Sequence, residues 1–195
     1  MVMQHLSRRN VVLALGAAAL GGGLAASPAR ASMVLAMDLG ELTQRAERIV
    51  VGEVTAVRSA WDEKHTRILT TVELKVAEAW KGQMPGSGRI TIVQPGGVAD
   101  GIEMRVHGMP SFTAGERAVL FLRGPLAQPQ SVVGMGQGKR GLRFDSASKR
   151  WMVDGGDRSA AVNIDLQGRP QPAAPEAPVP LDELRRRVST MVKAR

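Results

Sequence analysis

The chain has 195 residues, 26 Lys plus Arg against 18 Asp plus Glu for a formal net charge of +8, and neither cysteine nor tyrosine. That length suits one domain with tails and leaves little room for a two-domain cofactor enzyme. The missing cysteines exclude disulfides, thiolate zinc centres, iron–sulfur clusters and thiol nucleophiles.

At the N-terminus, Ser7, Arg8 and Arg9 precede an apolar run over residues 11–24 made only of Ala, Val, Leu and Gly. Ala29, Arg30 and Ala31 then supply a small-x-small site for cleavage after Ala31. These three parts are those of a secretory signal peptide, and they resemble a twin-arginine export signal, with Val11 and Leu13 where that pattern carries Phe and Lys. A general secretory signal that carries two arginines is the alternative. The apolar run is about 14 residues, against about 20 for a membrane span. Residues 1–31 hold three of the basic residues and no acid, so the remaining 164 carry 23 basic and 18 acidic groups, a net charge of +5. No basic stripe with interleaved aromatics remains, and nucleic acid is not an expected partner.

Residues 32–48 form the next segment. Asp38 and Glu41 make a capping-box pair, and Leu39, Leu42, Ala46 and Ile49 share one helical face, which predicts a helix of about 10 residues. Residues 49–57 are rich in β-branched side chains and interrupted by Gly52, as in a long bent strand. Residues 68–76 alternate with period two, as in a half-buried strand, and residues 90–93 form a third. The apolar run 118–122, between Arg117 and Arg123, predicts a strand covered on both faces. Residues 142–144 and 151–153 predict a hairpin around the turn at Asp145. Short strands between Gly/Pro turns imply an antiparallel, mainly β domain over 49–167, as a barrel or a sandwich. The five prolines in 168–180 predict an extended linker, and Leu181, Leu184, Val188, Met191 and Val192 an amphipathic helix over 181–195. That helix either folds back on its own domain or engages a partner or an anionic surface.

Ile49 to Gly52, Thr71 to Val76, Lys81-Gly82, and Phe112 with Gly115-Glu116 before residues 119–122 resemble the strand pattern of the netrin-like, OB-type barrel of the tissue inhibitors of metalloproteinases. The chain also resembles uncharacterised exported bacterial proteins that combine such a barrel with a Gly-Gln-Gly-Lys stretch like that at 136–139. The resemblance covers about residues 49–153. It implies a small closed or nearly closed barrel used for binding. Inhibition through an N-terminal cysteine does not carry over, because the chain has none.

Gly136, Gly138 and Gly141 match Gly-x-Gly-x-x-Gly, but strand residues follow, where a dinucleotide site needs a helix N-terminus. A glycine-rich loop between strands fits better, with Lys139 and Arg140 as an anion-binding option, and no cofactor is expected. His107 with Asp100 and Glu103 is a candidate metal set, for which the expected geometry is convergence on one ion. Ser111 lies four residues from His107 without the context of a nucleophile elbow. Trp61 and Trp80 flank the second strand, as rim packing or as a platform for carbohydrate or peptide.

The reading that follows is an exported, non-enzymatic binding module in the periplasm or outside the cell. Its expected partner is a protein or an envelope component, met by loops 61–65, 96–110 and 134–141, with Trp61, His107, Gln137, Lys139 and Arg140 as candidate ligand-face residues. Membrane contact is expected only during export. Two alternatives are a small exported hydrolase or metal-dependent enzyme centred on Asp100, Glu103 and His107, and an assembly component acting through the C-terminal helix.

Overall fold

The computed structural model describes residues 34–194. Arg8, Arg9 and the cleavage position after Ala31 lie outside the described residues. The elements in chain order are β1 (Val34–Leu35), α1 (Leu39–Arg45), β2 (Arg48–Trp61), β3 (Ile68–Lys81), β4 (Arg89–Pro95), β5 (Gly97–Ala99), β6 (Ile102–Met104), β7 (Arg117–Arg123), β8 (Ser131–Val132), a 3-10 turn (Met135–Gly138), β9 (Lys139–Asp145), β10 (Arg150–Val153), β11 (Ala161–Ile164), β12 (Pro170–Pro172), β13 (Val179–Pro180) and α2 (Leu181–Lys193).

The principal sheet runs β13-β10-β9-β7-β2-β3-β4, with β8 added to β7. All its ladders are antiparallel. A three-stranded sheet, β1-β11-β12, and the β5-β6 hairpin complete the set. The mainly β architecture and both helices agree with the sequence reading, but no sheet closes into a barrel. Between β4 and the segment before β8 there is no ladder, only the parallel bridge of Ile92 with Gln130. The reason is local: β8 is two residues long, preceded by the loop through Pro125 and Pro129, and cannot carry a longer edge.

The apolar runs explain the layering. In β7, Ala118, Leu120 and Leu122 belong to one buried cluster, Val119 and Phe121 to another, and all five are fully buried. A strand covered on both faces needs no polar alternation, so its sequence reads as continuous. β2 divides in the same way, Ile49 and Val51 facing the helical layer and Val50 the opposite core. Register shifts at Ile49/Val50, Val51/Gly52 and Val54/Ala56 bend this strand. A Cβ on Gly52 would lie 2.8 Å from both Leu74 Cγ and the Lys75 carbonyl oxygen, so the bend brings backbone where only glycine fits.

α1 is shorter than its apolar spacing predicts. The Asp38 carboxylate accepts from the Glu41 N–H at 2.7 Å and Glu41 accepts from the Asp38 N–H at 3.1 Å, which closes the capping box. Ala46 then turns extended, while Lys81 Nζ donates to the carbonyls of Thr43 and Ala46 at 2.7 and 2.5 Å. A cation on the last carbonyls ends the helix there. Ala46 and Ile49 stay on the core side although they are no longer helical.

α2 buries Leu184 and Val188 against the α1 side of the sheet, at about 1.5–3 kcal/mol each. Its three arginines are paired: Arg185 with Glu78, Arg186 with Asp182 at 3.0 Å, and Arg187 with Glu183. The apolar stripe is thus turned onto the protein's own core, apart from Met191, which is 37% exposed. The proline-rich stretch 168–180 is extended, and its ends take edge positions, Gln171 opposite Asn163 and Val179 opposite Val153.

Candidate functional site

An open cleft of about 630 Å³ lies between the β2–β4 surface and the loop that follows β6. Its floor is polar. The Ser59 and Thr70 hydroxyls lie 2.8 Å apart, and Thr70 Oγ1 donates to the Gly96 carbonyl at 2.6 Å. β2 and β3 supply these two residues side by side because Ser59 pairs with Thr70 in the ladder. Val57, Met104, Val106, Met109 and Phe112 add apolar surface, with Arg105, His107, Asp157 and Ser159 also in the lining.

The loop wall is fixed at three successive points. Gly136 N–H donates to the Gly108 carbonyl at 2.8 Å, Gln94 Nε2 to the Pro110 carbonyl at 2.7 Å, and Lys139 Nζ to the Ser111 carbonyl at 2.6 Å. A wall held this way is organised before any ligand arrives, which lowers the ordering cost of binding. The Ser159 backbone N–H, then its hydroxyl, hold the Asp157 carboxyl below its ordinary value, with His107 acting in the same direction. A lowered carboxyl contributes stability above its unfolded value of about 3.9, and loses it as pH falls through the lower folded value. The difference in urea midpoint between the wild type and Asp157→Asn is therefore expected to be larger at about pH 6 than at about pH 3. A difference independent of pH would show that ionised Asp157 does not matter.

Of the five candidate ligand-face residues, only His107 lines this cleft. Trp61 stacks on His65 at 4.6 Å between ring centroids, at the tip of the β2–β3 hairpin. Gln137 is buried and serves as a clamp: its side-chain oxygen accepts from Met37 N–H at 2.8 Å and its amide donates to the Leu35 carbonyl at 3.2 Å. Lys139 holds the cleft wall and ion-pairs with Glu116 at 2.8 Å, with the Phe112 ring 4.9 Å away. Arg140 is 3% exposed and paired with Glu176 at 2.9 Å, and Arg158 shares the same carboxylate. The anion-binding option at Lys139 and Arg140 thus has both cations already paired internally. The glycines around them approach the protein's own backbone: a Cβ on Gly136 would lie 3.0 Å from the Asp157 carbonyl oxygen.

Asp100, Glu103 and His107 do not converge into the candidate metal set. Asp100 sits in the β5–β6 turn with φ 50°, Glu103 on β6 pairs with Arg105 at 2.6 Å, and His107 is exposed beyond them. Among the described residues no group of three or more His, Cys, Asp or Glu side chains is placed to hold a metal. The two-residue hairpin turn separates side chains that helical spacing would have gathered. Ser111 and Ser159 line the cleft with His107, but neither hydroxyl is hydrogen-bonded to it, so no nucleophile–base pair is formed.

The sequence did not mark Ser59, Thr70 or Gln94 as site residues, and Asp157 stood out only as half of a carboxylate pair with Asp154 in a polar stretch. Thr70 was visible only as a polar member of the alternating strand 68–76, Ser59 lies beyond the predicted strand 49–57, and their meeting depends on the β2–β3 register. Comparison with known proteins finds no family model that matches the chain and no curated protein that matches it.

Proposed function

We propose that this protein is an exported binding module that takes an extended segment of a partner protein of the cell envelope or its surroundings in the Ser59/Thr70 cleft. The observation that carries this reading is the cleft itself: a polar floor, apolar sides and a wall fixed at Gly108, Pro110 and Ser111. Mixed polar and apolar lining of that kind suits a peptide, whose backbone needs hydrogen bonds and whose side chains need apolar contact. Trp61 and Trp80 lie outside the cleft, which disfavours a stacked sugar. The twin-arginine-like sequence at Ser7-Arg8-Arg9 supports export.

The scaffold belongs to the same proposal, as an OB-type, netrin-like fold open at one seam. Three features support it: the meander β2-β3-β4, the return of β7 beside β2, and the parallel bridge from Gln130 to β4. Folds of that type are used widely for binding, and the site rather than the fold determines the partner.

The test is photo-crosslinking in cells of the source organism, with the crosslinker at His107 in the cleft or at fully exposed Leu166 on the β11–β12 turn, outside the cleft lining. The expected result is a discrete protein adduct from position 107 alone. The same adduct from both positions, or none from position 107, overturns the reading.

A further inference from the structure

A second pocket, of about 220 Å³, shares no lining residue with the cleft. It lies at the open seam, between the start of β4 and the loop 126–130, which the Ile92–Gln130 bridge holds together. Arg48 and Arg89 both line it, with Gln128 and Gln130, and its walls include Pro85, Ile90 and Leu126. No acidic residue lines it.

Arg48 is 7% exposed. One terminal nitrogen, Nη1, donates to two neutral acceptors, the Gly124 carbonyl and Gln130 Oε1, each at 2.7 Å. Its Nε is buried with no hydrogen-bond partner among the described residues. The nearest carboxylate, on Glu47, stands 3.7 Å away and is itself 55% exposed. A buried guanidinium held by two neutral acceptors and one carboxylate at 3.7 Å is only partly compensated for its desolvation, and an added anion relieves that cost better than a neutral acceptor. Arg89, exposed at the same pocket, adds a second positive charge without an acid opposing it.

We propose that this pocket binds a carboxylate carried on a short apolar group, with Arg48 as the buried anchor and Arg89 at the mouth. A free organic acid and the C-terminus of a peptide ending in a small apolar residue share that chemistry.

Amide-shift titrations of the full chain with isobutyrate, N-acetylvaline and inorganic phosphate test it. The expected result is saturable shifts at Arg48, Gln128 and Gln130 with at least one carboxylate, at lower concentration than with phosphate, and weaker at high salt. Tighter binding of isobutyrate identifies a free acid as the source; tighter binding of N-acetylvaline identifies a chain terminus. Arg89→Gln, at an exposed site that folding tolerates, is expected to weaken binding about tenfold or more. Arg143→Gln, at an exposed arginine outside the pocket, leaves it unchanged. No saturable shift with either carboxylate, phosphate binding at least as tightly as both, or an unaltered affinity in Arg89→Gln overturns the proposal.

Discussion

Glu176→Ala is expected to lower the unfolding free energy by about 3–5 kcal/mol, read from urea denaturation at neutral pH. Glu176 is the one carboxylate shared by Arg140 and Arg158, whose side chains are only 4% and 13% exposed. Both guanidinium Nε atoms are buried without partners, so neither arginine has a second acceptor in reserve at that atom. Removing the carboxylate leaves two like charges facing each other in a region of low dielectric, at far greater cost than loss of a surface pair. The effect extends to chain organisation, because Glu176 belongs to the proline-rich stretch and Arg140 to β9. Glu176→Gln, which keeps the shape but not the charge, is expected to recover little of the loss. A change below about 1 kcal/mol for Glu176→Ala would mean that water reaches the cluster.

Phe121→Ala is expected to cost a similar amount, about 3–5 kcal/mol. Phe121 is fully buried on β7, the strand that both cores share, and the Arg140 guanidinium carbon lies 5.9 Å from its ring centroid. Its neighbours Val119 on the same strand and Ile49 and Val51 on β2 are held in a ladder and cannot collapse into the void. The comparison is Phe144→Ala, whose ring is 52% exposed and makes one edge contact with Trp151 at 5.6 Å. That change is expected to cost no more than about 1.5 kcal/mol. Equal losses at the two positions would contradict the assignment of the core to β2 and β7.

These two sites also show where sequence reasoning reaches and where it stops. Phe121 was legible because 118–122 is apolar without interruption, and a continuous run of that length is a property of the strand itself. The Asp145 turn and the hairpin around it were equally local, with Asp145 accepting from the Ala147 and Ser148 N–H groups. The Asp38 cap was read from a spacing of three residues, whereas the early end of α1 depends on Lys81, which lies far along the chain. Arg140 looked available for an anion because nothing nearby in sequence opposes it. Its partner arrives from 36 residues away on a segment that composition marks only as a linker. Gln137 looked like a loop residue facing solvent, yet its contacts with Leu35 and Met37 span about a hundred positions. The cleft is a mixed case: loop 96–110, named from the sequence as a ligand-face loop, supplies one wall, whereas Ser59, Thr70, Gln94 and Asp157 meet through register and loop return that no local spacing foreshadows.

The proposed seat of the partner segment is the Ser59/Thr70 cleft. Hydrogen exchange of the purified protein, with and without the partner identified by crosslinking at His107, tests it most directly. Slowed exchange is expected at the amides of Gly96, Gly97, residues 106–109, Ser111 and Phe112, with α2 and the β9–β10 hairpin unchanged. Protection confined to α2 or to that hairpin, with the cleft amides unaffected, would contradict it.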